Sequence, residues 1–497
     1  MTRRRISSLL ALLAPASLAL VACSDAGDGR LQVAVIEEPE SFFADGVRIS
    51  DAAQHLRAAT AEGLVTLDKD GVLTPALADS WTVTDDGRSY IFRLRDGTWP
   101  DGSPVTAQGA VADIRRTLDA LEGTTLGLDF AKVRDVRALA GRVIEFRLTS
   151  PMPDFLQLLA QGELGVVHEG EGSGPLALQR DGPAAVLSPI APEDRGLPQE
   201  RGWAGRTSAI VVRALPADKA IDWFDEGAID LVLGGRIASL PLVDTGPLAR
   251  GTVQLDGVEG MFGLRPRRAA GVLAEPELRA ALSMAIDRAA LMSSFNLGGW
   301  EARDTLLPIA LNEELAADAQ AEQGGWRALN LEARRQVAIR RVAAWKESDT
   351  ARVARLSLAL PEGPGSDRIV SALQADWAAI CVELVRVPER TNADLIWVDR
   401  VARFDAPRWY LNQLACDASR GLCSRGVDAL VAASLSPPSA AAGADALREA
   451  VARAEELELF MPLGAPVRWS LARGQVAGFA PNPYAFHPLP PLAITPR

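Results

Sequence analysis

The stretch 85–107, DDGRSYIFRLRDGTWPDGSPVTA, constrains the fold more than any other part of the chain. It holds three Asp-Gly pairs, at 86–87, 96–97 and 101–102. Each is a turn signal, because glycine enters positive φ without a Cβ clash and aspartate bonds its own backbone. Between the first two pairs, Tyr90, Phe92 and Leu94 alternate with Ile91, Arg93 and Arg95, the two-residue period of a strand. Strands over 81–84 and 89–95, joined through Asp86-Gly87, therefore make a hairpin. The chain then turns twice around Trp99-Pro100 and enters a helix over about 107–121, with Thr106 as its N-cap.

The rest of the sequence alternates the same two kinds of pattern, as in a mixed α/β protein. Strands are expected at 31–36 (LQVAVI), 143–148 (VIEFRL), 210–215 (IVVRAL) and 229–233 (IDLVL). A short helix over 216–226 ends at Gly227. The clearest helix is 276–291, with Pro276 in its first turn and Leu278, Leu282, Ala285, Ile286 and Ala289 on one face. Helices over 331–346 and 366–380 place Trp345 and Trp377 on apolar faces, and Trp81 fits a core face too. Strands at 353–360 and 382–386 flank the latter helix, a strand–helix–strand unit, followed by 395–398. Residues 161–205 are rich in Gly, Pro and Glu without a period and read as loop or a crossing between lobes.

The N-terminus has three arginines in its first five residues and an apolar run over 6–22, with Cys23 next. This is the layout of a secretory signal, and Leu20-Val21-Ala22-Cys23 resembles a bacterial lipobox. That likeness implies cleavage before Cys23 and lipid on its sulfur; an ordinary signal cut near Ala22 is the alternative. The formal charge of −12 falls to about −15 once the signal arginines are gone, which argues against nucleic acid as a partner. Cys416 and Cys423 close a short loop and can form a disulfide in an exported protein, whereas Cys381 in WAAICVELV reads as a buried thiol. Three scattered histidines make a His-rich metal site improbable, and His487 reads as a packed residue near the C-terminus. No G-x-S-x-G, H-E-x-x-H or phosphate-loop motif is found, so an enzyme is not expected.

Several segments, taken in order, resemble the extracytoplasmic solute-binding proteins of peptide- and nickel-type ABC transporters, family 5. They are Glu62-Gly63-Leu64, Leu77-Ala78-Asp79-Ser80-Trp81, Asp101-Gly102-Ser103-Pro104-Val105-Thr106-Ala107, Gly172-Ser173-Gly174-Pro175, Gly227-Ala228-Ile229-Asp230, and 278–288 with Leu278-Arg279, Ala281-Leu282 and Ala285-Ile286-Asp287-Arg288. The resemblance implies an α/β, two-lobed periplasmic-binding-protein-like fold of the class II type with an inserted accessory domain, closing on a solute by hinge motion. By that template a signal peptide occupies 1–22. Lobe I is built from 23–58, 172–262 and 465–497, the accessory domain from 59–171, and lobe II from 263–464. It implies a periplasmic or extracytoplasmic lipoprotein that acts as a monomer without a cofactor or metal. Its partners would be a peptide or other small solute, an ABC permease and ATPase complex, and the membrane through the lipid anchor. A ligand-binding sensor or chaperone-like protein on the same fold is the alternative.

In peptide-binding members a Gly-Trp-x-Ala-Asp-Tyr stretch supplies an Asp that receives the peptide amine. The matching segment here is DLIWVDRVARFDAP, 394–407, aligned through Asp394, Leu395, Val398, Ala402 and Pro407. Arg400 stands at the Trp position, Arg403 at the Asp position and Phe404 at the Tyr position. The sign at the amine anchor is reversed. Two readings follow. Either Arg400 and Arg403 meet an anionic or non-peptide solute, or they sit in structural ion pairs with Asp399 and Asp405. Trp397, Phe404 and Trp409, with Phe42 and Phe43 after the first strand, are the candidate aromatic walls.

Overall fold

The computed structural model of the chain describes residues 29–243, 252–316, 325–349, 351–474 and 476–494. The signal segment and Cys23 lie outside them. Two larger sheets make two lobes, and a smaller antiparallel sheet is set into the first half of the chain.

The seven-stranded sheet runs in the order Leu176–Asp181, Ala184–Pro189, Ile210–Leu215, Leu31–Ile36, Leu231–Arg236, Arg468–Ala472, Val253–Asp256. Leu31–Ile36 pairs in parallel with Ile210–Leu215 on one side and Leu231–Arg236 on the other. Val33, Ala34 and Val35 are fully buried, as expected of a central strand covered on both faces. The five-stranded sheet runs Glu383–Val387, Arg355–Ala359, Leu395–Val401, Gly260–Pro266, Met461–Gly464. Arg355–Ala359 and Glu383–Val387 are parallel neighbours joined by the helix Pro364–Ala378, the strand–helix–strand unit anticipated above. Trp377, on the buried face of that helix, donates its indole N–H to the carbonyl of Leu282 at 3.0 Å. The chain crosses between the two large sheets at 256–260 and again at 464–468. Gly260, at the first crossing, has φ +154°, and a Cβ there would collide with the carbonyl of Arg400.

The four-stranded sheet, Ala78–Val83, Ser89–Leu94, Val143–Leu148, Val133–Ala140, carries the helix Ala107–Ala120. Asp86 Oδ1 accepts from the Arg88 amide at 3.0 Å, and Gly87 has φ +65°. At the third pair Asp101 Oδ1 accepts from the Ser103 amide at 2.8 Å, and Gly102 has φ +84°. Asp96-Gly97 is different. Gly97 is not left-handed, and it passes beneath Gly196, where a Cβ would meet the Asp96 carbonyl. Thr106 caps the helix through the Gly109 amide at 3.2 Å.

Three expectations are corrected. Residues 176–189 form a hairpin inside the stretch read as loop. The helix expected over 276–291 is two helices, Pro276–Ala285 and Arg288–Ser293, because Ile286 is extended and Asp287 caps the second through the Ala290 amide at 2.9 Å. Asp376 Oδ2 fixes the break by accepting from the Asp287 amide at 2.9 Å. Cys381 is exposed, not buried: with φ +60° it turns the chain out of the helix before Glu383–Val387. Trp81 packs, partly buried, against the core as expected. His487 is packed as expected, with Nε2 at 3.3 Å from Asp256 Oδ2 and Nδ1 near the Asn482 amide.

Candidate functional site

A cavity of about 810 Å³ opens between the two large sheets and is closed on a third side by residues of the 121–129 segment and Glu163. The strand Leu395–Val401 brings Trp397, Asp399 and Arg400 to its wall. The turn after it brings Arg403, and the helix Pro407–Asn412 brings Trp409, with Gln413 just beyond. The seven-stranded sheet contributes Arg236 and Arg468, and the first turn of the helix Asp51–Thr60 contributes Asp51.

Most charges in the wall are matched by other charges from distant segments. Arg468 donates to Asp399 Oδ1 at 2.7 Å, with both side chains below 10 % exposure (7 % and 6 %). Arg236 holds Asp51 at 2.5 Å. Arg403 grips Glu163 with both guanidinium nitrogens, at 2.8 and 3.0 Å, and donates to Gln161 Oε1 at 2.8 Å. Burial alone would lower the Arg403 pKa, but the Glu163 carboxylate outweighs it and the pKa is raised. Desolvation in the cleft would raise the pKa of the half-exposed Asp51, but Arg236 and Arg468 hold it below the ordinary range.

Arg400 is not matched in this way. It donates to the neutral Gln413 Oε1 at 2.7 Å, and among the described residues it has no ion pair. Desolvation, then the neighbouring Arg403, push its pKa down, while its side chain stays open to the cavity and keeps its charge. Arg48 and Arg267 also border the cavity without an ion pair among the described residues. His55 lines the cavity as a neutral ring, its pKa driven by burial to about 4.

Trp397, Asp399, Arg400, Arg403 and Trp409 are thus brought together at one wall. The three phenylalanines are not. Phe42 is 1 % exposed beneath the first strand, its ring centroid 4.7 Å from that of Phe43. Phe43 lies under the Arg180 guanidinium at 3.8 Å. Phe404, 1 % exposed, turns into the core shared with the four-stranded sheet. None borders the cavity. The ion-pair partners also differ from those anticipated: Asp399 belongs to Arg468, and Arg403 to Glu163 rather than to Asp399 or Asp405. Cys416 and Cys423 are bonded, with their Cα atoms 5.2 Å apart. Arg265 pins that loop through the carbonyls of Gln413, Leu414 and Leu422. Sequence reasoning missed Glu163, Asp51, Arg236, Arg468, Asp129 and Gln413, none of which stands in a motif. Among the described residues no cluster of His, Cys, Asp and Glu is arranged to hold a metal, and no helix is long and apolar enough to cross a membrane.

Residues 72–187 match the family model described as "Bacterial extracellular solute-binding proteins, family 5 Middle". The nickel-binding periplasmic protein of Escherichia coli K12 is 27 % identical over 269 residues, covering 49 % of this chain and 49 % of that protein. The periplasmic oligopeptide-binding protein OppA of Haemophilus influenzae is 43 % identical over 86 residues, covering 16 % of this chain and 15 % of that one. The matched stretches span about half or less of these curated relatives. Likeness of structure runs further. The Haemophilus influenzae OppA complex with the peptide RPPGFSPFR superposes with a TM-score of 0.76 at 18 % identity, over 94 % of this chain and all of that one (100 %). The murein tripeptide binding protein MppA of Escherichia coli gives 0.73 at 19 % identity, over 94 % and 99 %. Both share the two-lobed fold described above.

Proposed function

We infer that this chain, which belongs to the family 5 extracellular solute-binding proteins, binds a small solute bearing an anionic group between its two lobes and delivers it to an ABC permease by hinge closure. It is a binding protein and not an enzyme; its relatives are periplasmic binders. The observation that carries the ligand class is Arg400. It is a guanidinium in the wall of a solute-sized cavity, with a neutral side chain as its one hydrogen-bond acceptor and no carboxylate partner among the described residues. A carboxylate, phosphate or sulfate would supply the missing charge-assisted bonds. Arg403 stands nearby but spends its charge on Glu163, so its part is to hold the wall.

The sheet memberships support reading 23–58, 172–262 and 465–497 as lobe I, 263–464 as lobe II and 59–171 as the accessory domain, save that 260–262 pair within the five-stranded sheet of lobe II. The signal-like segment supports export with a lipid on Cys23, which would hold the protein at the membrane beside its transporter.

Native mass spectrometry of the purified protein should find a co-purified solute carrying a negative group. Arg400→Gln should weaken its binding about tenfold to a hundredfold, as expected for a charge-assisted bond worth roughly 1.5–3 kcal/mol. Calorimetry on both proteins measures this. Unchanged affinity, or a bound solute without any anionic group, removes the reading.

A further inference from the structure

Asp129 ends the short helix Thr125–Asp129 and faces the same cavity, only 1 % exposed. Its Oδ1 accepts from Asn412 Nδ2 at 2.7 Å, while Oδ2 is buried with no hydrogen-bond partner. Two guanidinium groups lie in its surroundings, yet both are engaged elsewhere. Arg403 is held by Glu163 and Gln161. Arg408 donates to the backbone carbonyls of Leu128 and Asp129, at 3.2 and 2.9 Å, and to Met152 Sδ at 3.4 Å. No ion pair reaches the Asp129 carboxylate among the described residues. A buried carboxylate oxygen without a donor is costly.

We propose that Asp129 is a second ligand subsite, receiving an ammonium or similar N–H cation, so that the preferred solute carries both a positive and a negative group. The inference rests on the reading of Arg400 above, which supplies the negative end. Both subsites are anchored to neighbouring segments. Asn412 on the helix Pro407–Asn412 holds Asp129, and Gln413, the next residue, holds Arg400. The pair of unmet groups, one of each sign, is what a zwitterion would complete.

The titration of Asp129 fits this. Burial drives its pKa up to about 7, against the Asn412 hydrogen bond and the charges of Arg408 and Arg403, which pull it down. The empty site therefore takes up a proton as pH falls through about 7, whereas a bound ammonium would keep the carboxylate ionised. Affinity for an amine should be complete above that pH and be lost below it, by about tenfold per pH unit until the pKa of the bound form is reached.

The test uses the purified full chain and a panel of di- and tripeptides and amino-acid-derived acids. Each is supplied free, N-acetylated, and C-amidated, and thermal stabilisation and then calorimetry are read. The expected result is that binders carry both free groups and that acetylating the amine costs tenfold or more. Asp129→Asn, which keeps the shape and the Asn412 contact, should erase the difference between free and acetylated forms and flatten the pH dependence between about 5.5 and 7.5. An unchanged melting temperature without ligand would establish that this variant folds. If acids lacking an amine bind as well, and still require Arg400, the Asp129 subsite is overturned while the anionic-solute reading stands. If nothing with a negative group binds, both fall. Retention of the amine preference by Asp129→Asn also overturns the proposal.

Discussion

Replacing Asp399 with alanine should lower the free energy of unfolding by about 3–5 kcal/mol, the cost of leaving one member of a buried ion pair without its partner. Arg468 is 6 % exposed and points at Asp399 with two nitrogens: one to Oδ1 at 2.7 Å, the other to the backbone carbonyl at 3.2 Å. After truncation the guanidinium keeps that carbonyl and the one of Val467, at 2.9 Å, but loses its adjacent countercharge. Asp51 interacts with it at longer range and offsets a part of the loss. The position matters as much as the energy. Arg468 opens a strand of the seven-stranded sheet, Asp399 belongs to the five-stranded sheet, and the second crossing between lobes ends at Arg468. The variant should therefore be cut by a dilute protease near 464–468 faster than the parent protein, besides unfolding at lower urea concentration. The pair Asp399→Leu with Arg468→Met, which removes both charges, should recover most of the stability. A single variant within about 0.5 kcal/mol of the parent would rule out this pair as the tie between lobes.

Much of the scaffold was legible because its causes are local. The turns at Gly87 and Gly102, the Thr106 cap and the strand–helix–strand unit around Trp377 each depend on residues within a few positions. The missed hairpin has a different character. Leu176–Asp181 is an edge strand with one buried residue, Leu176, followed by five exposed ones, so no alternation marks it. The break at Ile286-Asp287 is invisible in a periodic helix pattern because the group that enforces it, Asp376, is 89 residues away. The site divides in the same manner. Trp397, Arg400, Arg403 and Trp409 were found by lining up one segment with a known pattern. Their partners were not, since Glu163 is 240 residues from Arg403 and Arg468 is 69 from Asp399. A charged residue in a loop announces nothing until the fold supplies its partner. For that reason the sequence could locate the arginines without telling which of them remains free.

The Glu163–Arg403 pair separates that question from stability. Glu163→Gln should cost about 2 kcal/mol, less than the loss at Asp399, because the Arg403 side chain is 26 % exposed to the cavity and water can take up part of the lost interaction. The amide still accepts from one guanidinium nitrogen, so the wall keeps its shape while its net charge rises by one. Binding should then move opposite to stability. An anionic solute would meet two unneutralised guanidinium groups, Arg400 and Arg403, and affinity should rise several-fold at low salt and lose that gain at high salt. A second substitution, Arg403→Met in the Glu163→Gln background, removes the surplus charge and should return affinity to that of the parent protein. The cycle isolates the role of the pair from that of either residue. If Glu163→Gln leaves affinity unchanged, Arg403 does not reach the solute and the ligand contacts lie on the Arg400 side of the wall alone. If it abolishes binding while the protein stays folded, Glu163 itself touches the solute, and the neutralised pair would have to be reassigned as a receptor for a cation.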